Sequence, residues 1–166
     1  MKEEAFDLIC QEAQKYGIIF KEKGPVLDDV KIPETLYYLN ANQKVEGSRN
    51  GSLELDGYDE EKNVGFEFIS EVDYEEWHVE QGIRSSVDDY DFLSTVKILA
   101  EGMEGKTDGL TVGVFYNPMP QFTEEEIRDE NSDWEQKQAL IRERAVEQLR
   151  EQVKDFLEWL KGEGII

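Results

Sequence analysis

The stretch that decides the fold runs Leu53-Glu54-Leu55-Asp56-Gly57-Tyr58 and, after a turn, Val64-Gly65-Phe66-Glu67-Phe68-Ile69. Leu53 and Leu55 alternate with Glu54 and Asp56, while Val64, Phe66 and Phe68 alternate with Gly65, Glu67 and Ile69. That two-residue period is the signature of half-buried strands. Pairing them antiparallel with Leu55 facing Phe66 and Leu53 facing Phe68 puts Glu54 opposite Glu67 and Asp56 opposite Gly65 on the other face. Three carboxylates then share one surface. A hard divalent cation is held by one or two carboxylates plus waters and phosphate oxygens, so Asp56, Glu67 and Glu54 form a candidate metal site. Without a cation, Glu54 facing Glu67 costs about 0.2–1 kcal/mol, which a solvated sheet face tolerates.

Working outward, residues 2–16 carry Phe6, Ile9, Cys10 and Ala13 at helical spacing, and the helix is expected to stop at Tyr16-Gly17. A loop with Gly24-Pro25 and Ile32-Pro33 leads to Leu36-Tyr37-Tyr38-Leu39, either a short strand or a helical turn. Val45 to Arg49 begins a strand that turns at Asn50-Gly51. Residues 71–90, with Trp77, His78 and Gly82, have no clear assignment. Asp91 to Gly102 places Phe92, Leu93, Val96, Leu99 and Ala100 on one helical face. Leu110 to Tyr116 is short, apolar and β-branched, hence a buried strand, and a helix followed by such a strand implies a crossover and a parallel pairing.

Beyond Pro118, Thr123-Glu124-Glu125-Glu126 has the pattern of a capping box opening a short acidic helix. Ser132-Asp133-Trp134-Glu135 repeats the signal ahead of a long C-terminal helix with Ala145, Leu149, Val153, Phe156, Leu157 and Leu160 in one apolar stripe. The expected architecture is one mixed α/β (α+β) domain over residues 1–166, a central mixed sheet of about four strands flanked by helices. Within it, residues 1–117 form the core, 118–133 an acidic loop and short helix, and 134–163 the C-terminal helix.

A chain of 166 residues buries roughly two-thirds of the surface its unfolded form exposes, so no staple is needed. The opening Met1-Lys2-Glu3-Glu4-Ala5-Phe6 reads as an acidic helix start without a secretory apolar segment. The expectation is therefore a cytoplasmic protein with no membrane span. Cys10, the only cysteine, belongs to the apolar side of the first helix as an inert thiol. Thirty-nine Asp and Glu against eighteen Lys and Arg give a formal charge of -21. Such a field repels phosphate backbones and attracts cationic surfaces, which disfavours nucleic acid and favours a basic protein partner.

The order helix, acidic hairpin, helix, strand, with Asp56-Gly57-Tyr58 followed by Phe66-Glu67-Phe68, resembles the PD-(D/E)XK nuclease-like superfamily over roughly residues 3–117. The resemblance implies metal binding by Asp56 and Glu67, and a lysine two residues beyond the Glu that assists the attacking water. That position holds Ile69. Lys97, on the helix between hairpin and final strand, is the candidate replacement, and Glu4 or Glu12 of the first helix a candidate third carboxylate.

The remaining constellations are few. His78 is the sole histidine, so neither a two-histidine metal site nor redundant serine–histidine machinery is available, and packing in a loop is its ordinary role. GxxxxGK[ST], GxGxxG and CxxC are all absent. Tyr74, Glu75, Glu76 and Trp77, with Asp88, Asp89 and Tyr90, have the composition of a face that docks a cationic protein. The first reading is thus a non-catalytic acidic protein, immunity-protein-like or a nucleic-acid mimic, binding a basic partner and needing no cofactor. The alternative is a Mg-dependent nuclease or phosphodiesterase using Asp56, Glu67 and Lys97.

Overall fold

The computed structural model describes residues 2–34, 37–40, 43–45, 47–77 and 91–166, with the backbone alone for 37–40 and 43–45. In chain order its elements are α1 (Lys2–Gln14), β1 (Lys21–Glu22), β2 (Val26–Pro33), β3 (Tyr37–Asn40), β4 (Gln43–Val45), β5 (Ser48–Glu54), β6 (Gly57–Asp59) and β7 (Val64–Ile69). They continue with α2 (Glu71–Trp77), α3 (Phe92–Gly102), β8 (Thr111–Tyr116), α4 (Glu124–Arg128) and α5 (Trp134–Gly162). Among these, no helix is long and apolar enough to cross a membrane.

The fold is mixed α+β: a four-stranded sheet in the order β1-β6-β7-β8, flanked by helices that include the long C-terminal one. β1, β6 and β7 are antiparallel in turn, and β7 to β8 is parallel through α3, the crossover expected from the sequence. Val64, Phe66 and Phe68 of β7 belong to an apolar cluster with Ala5, Ile9 and Ala13 of α1 and Leu149, Val153, Leu157 and Leu160 of α5. Each fully buried Leu or Phe there stabilises the fold by about 1.5–3 kcal/mol relative to exposure.

Several elements differ from expectation, and each difference has a tertiary cause. Residues 26–33 are not a loop but β2, and β5 does not turn at Asn50-Gly51: it runs straight through, Asn50 opposite Lys31 and Gly51 opposite Val30. This two-stranded ribbon, with α2 and α3, covers the second face of the main sheet through Leu27, Val30, Ile32, Leu53 and Leu55. Hence β7 is buried at every position rather than half-buried. β8 is an edge strand with alternating partial burial, not an interior one. Its end is closed by Gln152 of α5, whose amide accepts from Tyr116 N–H at 3.0 Å and donates to Tyr116 C=O at 3.2 Å, occupying backbone groups that an open edge would expose.

Helix ends follow the sequence signals closely. Asp91 caps α3 by accepting from Ser94 N–H. Thr123 and Glu126 form the capping box of α4. The box of α5 lies one residue later than expected, between Asp133 and Gln136, because Ser132 is engaged by Asp129 instead.

Candidate functional site

Two chain segments pass together from the main sheet into the β2–β5 ribbon, and the site lies where they cross. The outgoing path is Lys23-Gly24-Pro25 and the returning one Leu55-Asp56. They are held by backbone hydrogen bonds from Lys23 N–H to Asp56 C=O, from Gly24 N–H to Leu55 C=O and from Leu55 N–H to Pro25 C=O, at 3.1, 2.7 and 3.2 Å. Lys23 takes φ 60°, and Gly24 passes so close that a Cβ there would lie 2.9 Å from Leu55 Cβ. Asp56 is thereby fixed at the corner, immediately before β6.

This corner corrects the expected register. Gly57, not Leu55, faces Phe66, Tyr58 faces Gly65 and Asp59 faces Val64, a displacement of two residues; Leu53 and Leu55, expected on the Phe66 face, pack instead in the second apolar cluster because they have joined the β2–β5 ribbon. Leu53 and Glu54 belong to the other sheet, opposite Leu27 and Val26. Glu54 is consequently exposed and does not face Glu67.

Asp56 and Glu67 nevertheless come together. Asp56 Oδ2 accepts the Phe68 N–H at 2.8 Å, next door to Glu67 on β7. Glu67 is 2 % exposed, and its Oε2 has no hydrogen-bond partner. The cation that acts on both is Lys2, at the first turn of α1: its Nζ lies 3.0 Å from Asp56 Oδ1 and 3.1 Å from Asp73 Oδ1. Asp73 is held in turn by a reciprocal cap at the start of α2, where its Oδ2 accepts Ser70 N–H at 2.8 Å and its own N–H donates to Ser70 Oγ at 3.3 Å.

The electrostatics follow from burial. Desolvation raises the Glu67 carboxyl well above the ordinary range, and the charges of Asp56 and Asp73 push the same way. Lys2 and a backbone hydrogen bond from Asp56 oppose them. Asp56 is raised for the same first reason, against the Phe68 N–H and Lys2. For Lys2, burial works toward the neutral form but is outweighed by Asp56, Asp73 and Glu67, so the ammonium is held above its usual value.

The other expected site residues fall elsewhere. Lys97 is exposed on α3, and Ile69 is fully buried in the second apolar cluster. Glu4 is exposed, and Glu12 faces α5, bound by Lys15 at 2.8 Å and Arg150 at 3.0 Å. Tyr74 and Trp77 lie in the core with Phe92 and Leu99 and therefore contribute no aromatic contact to a docking face, although Glu75 and Glu76 are exposed. Their three-residue spacing on one helix is the signal of an inward stripe. His78, Asp88, Asp89 and Tyr90 lie outside the described residues. Sequence reasoning missed Lys2 and Asp73. Ser70-x-x-Asp73 is a readable capping pattern, whereas nothing in the spacing ties position 2 to position 56.

Whether a cation suits this donor set is decided by two observations. Among the described residues, no group of three or more His, Cys, Asp or Glu is arranged to hold a metal ion, so a closed all-protein cage is not supplied. A magnesium-type cation requires only one or two carboxylates, and the buried, unpartnered Glu67 Oε2 beside Asp56 is an oxygen for which such an ion is a fitting partner. Comparison of the chain with protein-family models, with curated proteins and with solved structures gave no match.

Proposed function

We propose that the corner site is a metal-assisted phosphodiester-hydrolysing centre in which Asp56 and Glu67 hold a hard divalent cation and Lys2 stands in for the lysine that Ile69 replaces. The observation that carries this reading is the convergence of one lysine and two carboxylates, one of them with a buried oxygen lacking any partner. The order helix, three antiparallel strands, helix, parallel strand also agrees with the PD-(D/E)XK resemblance. A bound cation would supply a Lewis acid and lower the pKa of a coordinated water.

The roles of the chain's own groups follow from their surroundings. Lys2, held protonated by three carboxylates, is no base; it stabilises negative charge developing on a phosphoryl oxygen. Asp56, anchored by the Phe68 N–H, keeps its carboxylate at a fixed orientation. Glu67 serves as a ligand only once it has lost the proton that burial favours. We place the protein in the cytoplasm, in keeping with a lone unpaired thiol at Cys10.

Calorimetric titration with Mn²⁺ tests the reading. Wild type is expected to bind one ion, and Asp56→Asn and Glu67→Gln each to weaken it by about 10–100-fold. Absence of binding to wild type, or equal binding by all three proteins, would discard the centre.

A second reading, docking of a basic protein, is favoured by the charge of -21 and by exposed Ile127 and Trp134 on α4 and the start of α5. It requires association with a cationic protein that weakens as salt rises and weakens further in Trp134→Ala at unchanged net charge. An unaltered affinity in that variant would reduce the attraction to bulk charge.

A further inference from the structure

The outer edge of β8 is open to a further strand. Thr111 N–H donates to Asn63 C=O at 3.1 Å and Asn117 N–H to Ile69 C=O at 3.0 Å, so the odd-numbered positions of this strand turn their backbone groups toward β7. The even-numbered positions face outward, as Tyr116 shows by having both of its groups engaged by Gln152. Val112 and Val114 follow the same alternation on the last strand of the sheet. Neither has a hydrogen-bond partner on that side among the described residues. Such a row of backbone donors and acceptors is a template for a strand from another chain.

The helix that stops this edge at Tyr116 also overhangs it. A Cβ on Gly113 would lie 2.8 Å from Phe156 Cε1, so α5 runs from Gln152 back toward the start of β8. Trp159 stands two turns on from Gln152 and on the same side of α5, about 10 Å along the helix and about three residues back down the strand. Its ring is stacked on Phe156 with centroids 6.0 Å apart, yet the residue is 50 % exposed. Asp155 and Glu163, one turn on from Gln152 and Trp159, are exposed on that side as well, and Asp108 is exposed in the turn before β8. Lys154 and Lys161 are offset from the same two residues by half a turn and point the other way. The edge therefore offers an aromatic surface among carboxylates. With the whole chain at -21, a second copy would be repelled from it.

We propose that the β8 edge takes up an extended segment of a cationic protein, added antiparallel beside Val112 and Val114. Those two valines belong to the second apolar cluster and Phe115, with Phe156, to the first, so an incoming strand meets valine side chains on one face and α5 on the other. Its apolar side chains lie over the valines, and its alternate Lys or Arg side chains lie over Trp159 between the carboxylates. The sign of the partner's charge rests on the basic-partner reading above. The place does not, since Trp159 is at the other end of α5 from Trp134.

The probe is a fluorescein-labelled peptide, Lys-Val-Arg-Val-Lys-Val-Arg, titrated with the full chain at about 50 mM salt and read by polarisation, with amide hydrogen exchange followed at Val112 and Val114. Binding is expected to slow exchange at both amides by about tenfold or more. It should weaken by about tenfold in Trp159→Ala and in the double variant Asp155→Asn, Glu163→Gln, but by less than about twofold in Glu75→Gln, Glu76→Gln, which removes the same charge from α2. N-methylation of the peptide's valines, whose N–H groups face β8 in antiparallel pairing, should abolish binding, and N-methylation of its lysines and arginines should not. Binding that leaves Val112 and Val114 unprotected, or that survives valine methylation, would overturn the edge site. Equally tight binding of Thr-Val-Thr-Val-Thr-Val-Thr would overturn the cationic partner. Protection of the two amides that grows with protein concentration in the absence of peptide would assign the edge to a second copy and overturn the proposal. Failure of the peptide to bind, while a cationic protein still binds through Trp134, would overturn the edge site and leave the basic-partner reading standing.

Discussion

Asp56 Oδ2 accepts the Phe68 backbone N–H at 2.8 Å, at the point where the strand beginning at Gly57 no longer runs beside β7. A side chain thereby takes the place of a ladder partner. The chain needs that substitution because Leu53 and Glu54 have already joined the other sheet, leaving this stretch of β7 with a strand partner on its β8 side only. The residue that orients the candidate site is therefore also part of the sheet's hydrogen bonding, and changes at position 56 must be read for both.

That dual role separates two substitutions. In Asp56→Ala the Phe68 N–H loses its acceptor on a strand that is buried throughout, at an expected cost of about 1–3 kcal/mol. Asp56→Asn keeps a carbonyl oxygen for that bond and is expected to cost less than half as much, while still removing the charge opposite Lys2. Urea unfolding of the two variants at neutral pH checks this. Equal losses would mean that the Phe68 bond contributes nothing.

Glu67 sets a pH dependence whose sign is opposite to that of an ordinary ion-paired carboxylate. Its folded value is raised above the ordinary 4.5, so between those two values the folded protein binds more protons than the unfolded chain. Stability from this group is present below the ordinary value and lost as pH rises through the folded one. Asp56, raised above 3.8, acts in the same direction. Lys2 contributes fully below 10.5, so it does not shape this window. Denaturant midpoints measured from about pH 5 to 8 are expected to fall in wild type more steeply than in Glu67→Gln. Parallel profiles would show that Glu67 is already ionised in the folded protein at the lower end.

How much of the fold is legible in the sequence follows from which signals are local. The apolar face of α3, the capping box at Thr123, the apolar stripe of α5 and the crossover into Thr111–Tyr116 are each signalled by short stretches of sequence, and each is in place. That Asp56 and Glu67 share a neighbourhood is also readable, since a two-residue slip in register keeps that pair on one side, although Leu53 and Leu55 move to the second cluster. The β2–β5 pairing is not. Asn50-Gly51 is a strong local turn signal, and only contact with Val30 and Lys31, about twenty positions away, overrides it. Lys2 is invisible for the same reason: its partners are brought to it from distant positions, Asp56 by the corner before β6 and Asp73 by α2.

Gly57 is the position where packing beside the site leaves least freedom. A Cβ there would lie 2.2 Å from Phe66 Cε1, and the Phe66 ring is fully buried between Phe20, at 4.8 Å, and Phe115, at 5.9 Å. Gly57→Ala is expected to destabilise by about 1–3 kcal/mol through forced displacement of that ring. Adding Phe66→Leu should recover part of the loss, because the smaller side chain vacates the space the methyl needs. A strictly additive double variant in thermal unfolding would argue that the strain lies in the backbone of β6 instead.

Lys2 gives the sharpest separation between architecture and chemistry. It is the one cation paired with Asp56 and Asp73 among the described ion pairs, and its side chain is 42 % exposed, so removing its charge subtracts a screened interaction and little packing. Lys2→Met is therefore expected to fold cooperatively, with a midpoint closest to that of wild type at the acidic end of the range, where the raised Glu67 carboxyl holds its proton more readily. Above neutrality the variant should lose stability faster, because the carboxylates no longer have a counter-charge. Mn²⁺ affinity should be retained or improved, since an ammonium that competes for the same oxygens is gone. Hydrolysis of a small phosphodiester should fall by about 10²–10³ in kcat, the size of effect seen when one donor to a developing oxyanion is removed. Lys2→Arg should restore the pH profile of stability but only part of kcat, because the broad guanidinium carries the charge without the compact geometry of the ammonium. Unchanged kcat in Lys2→Met, with Mn²⁺ still bound, would assign Lys2 to the ion pair alone and remove it from the chemistry.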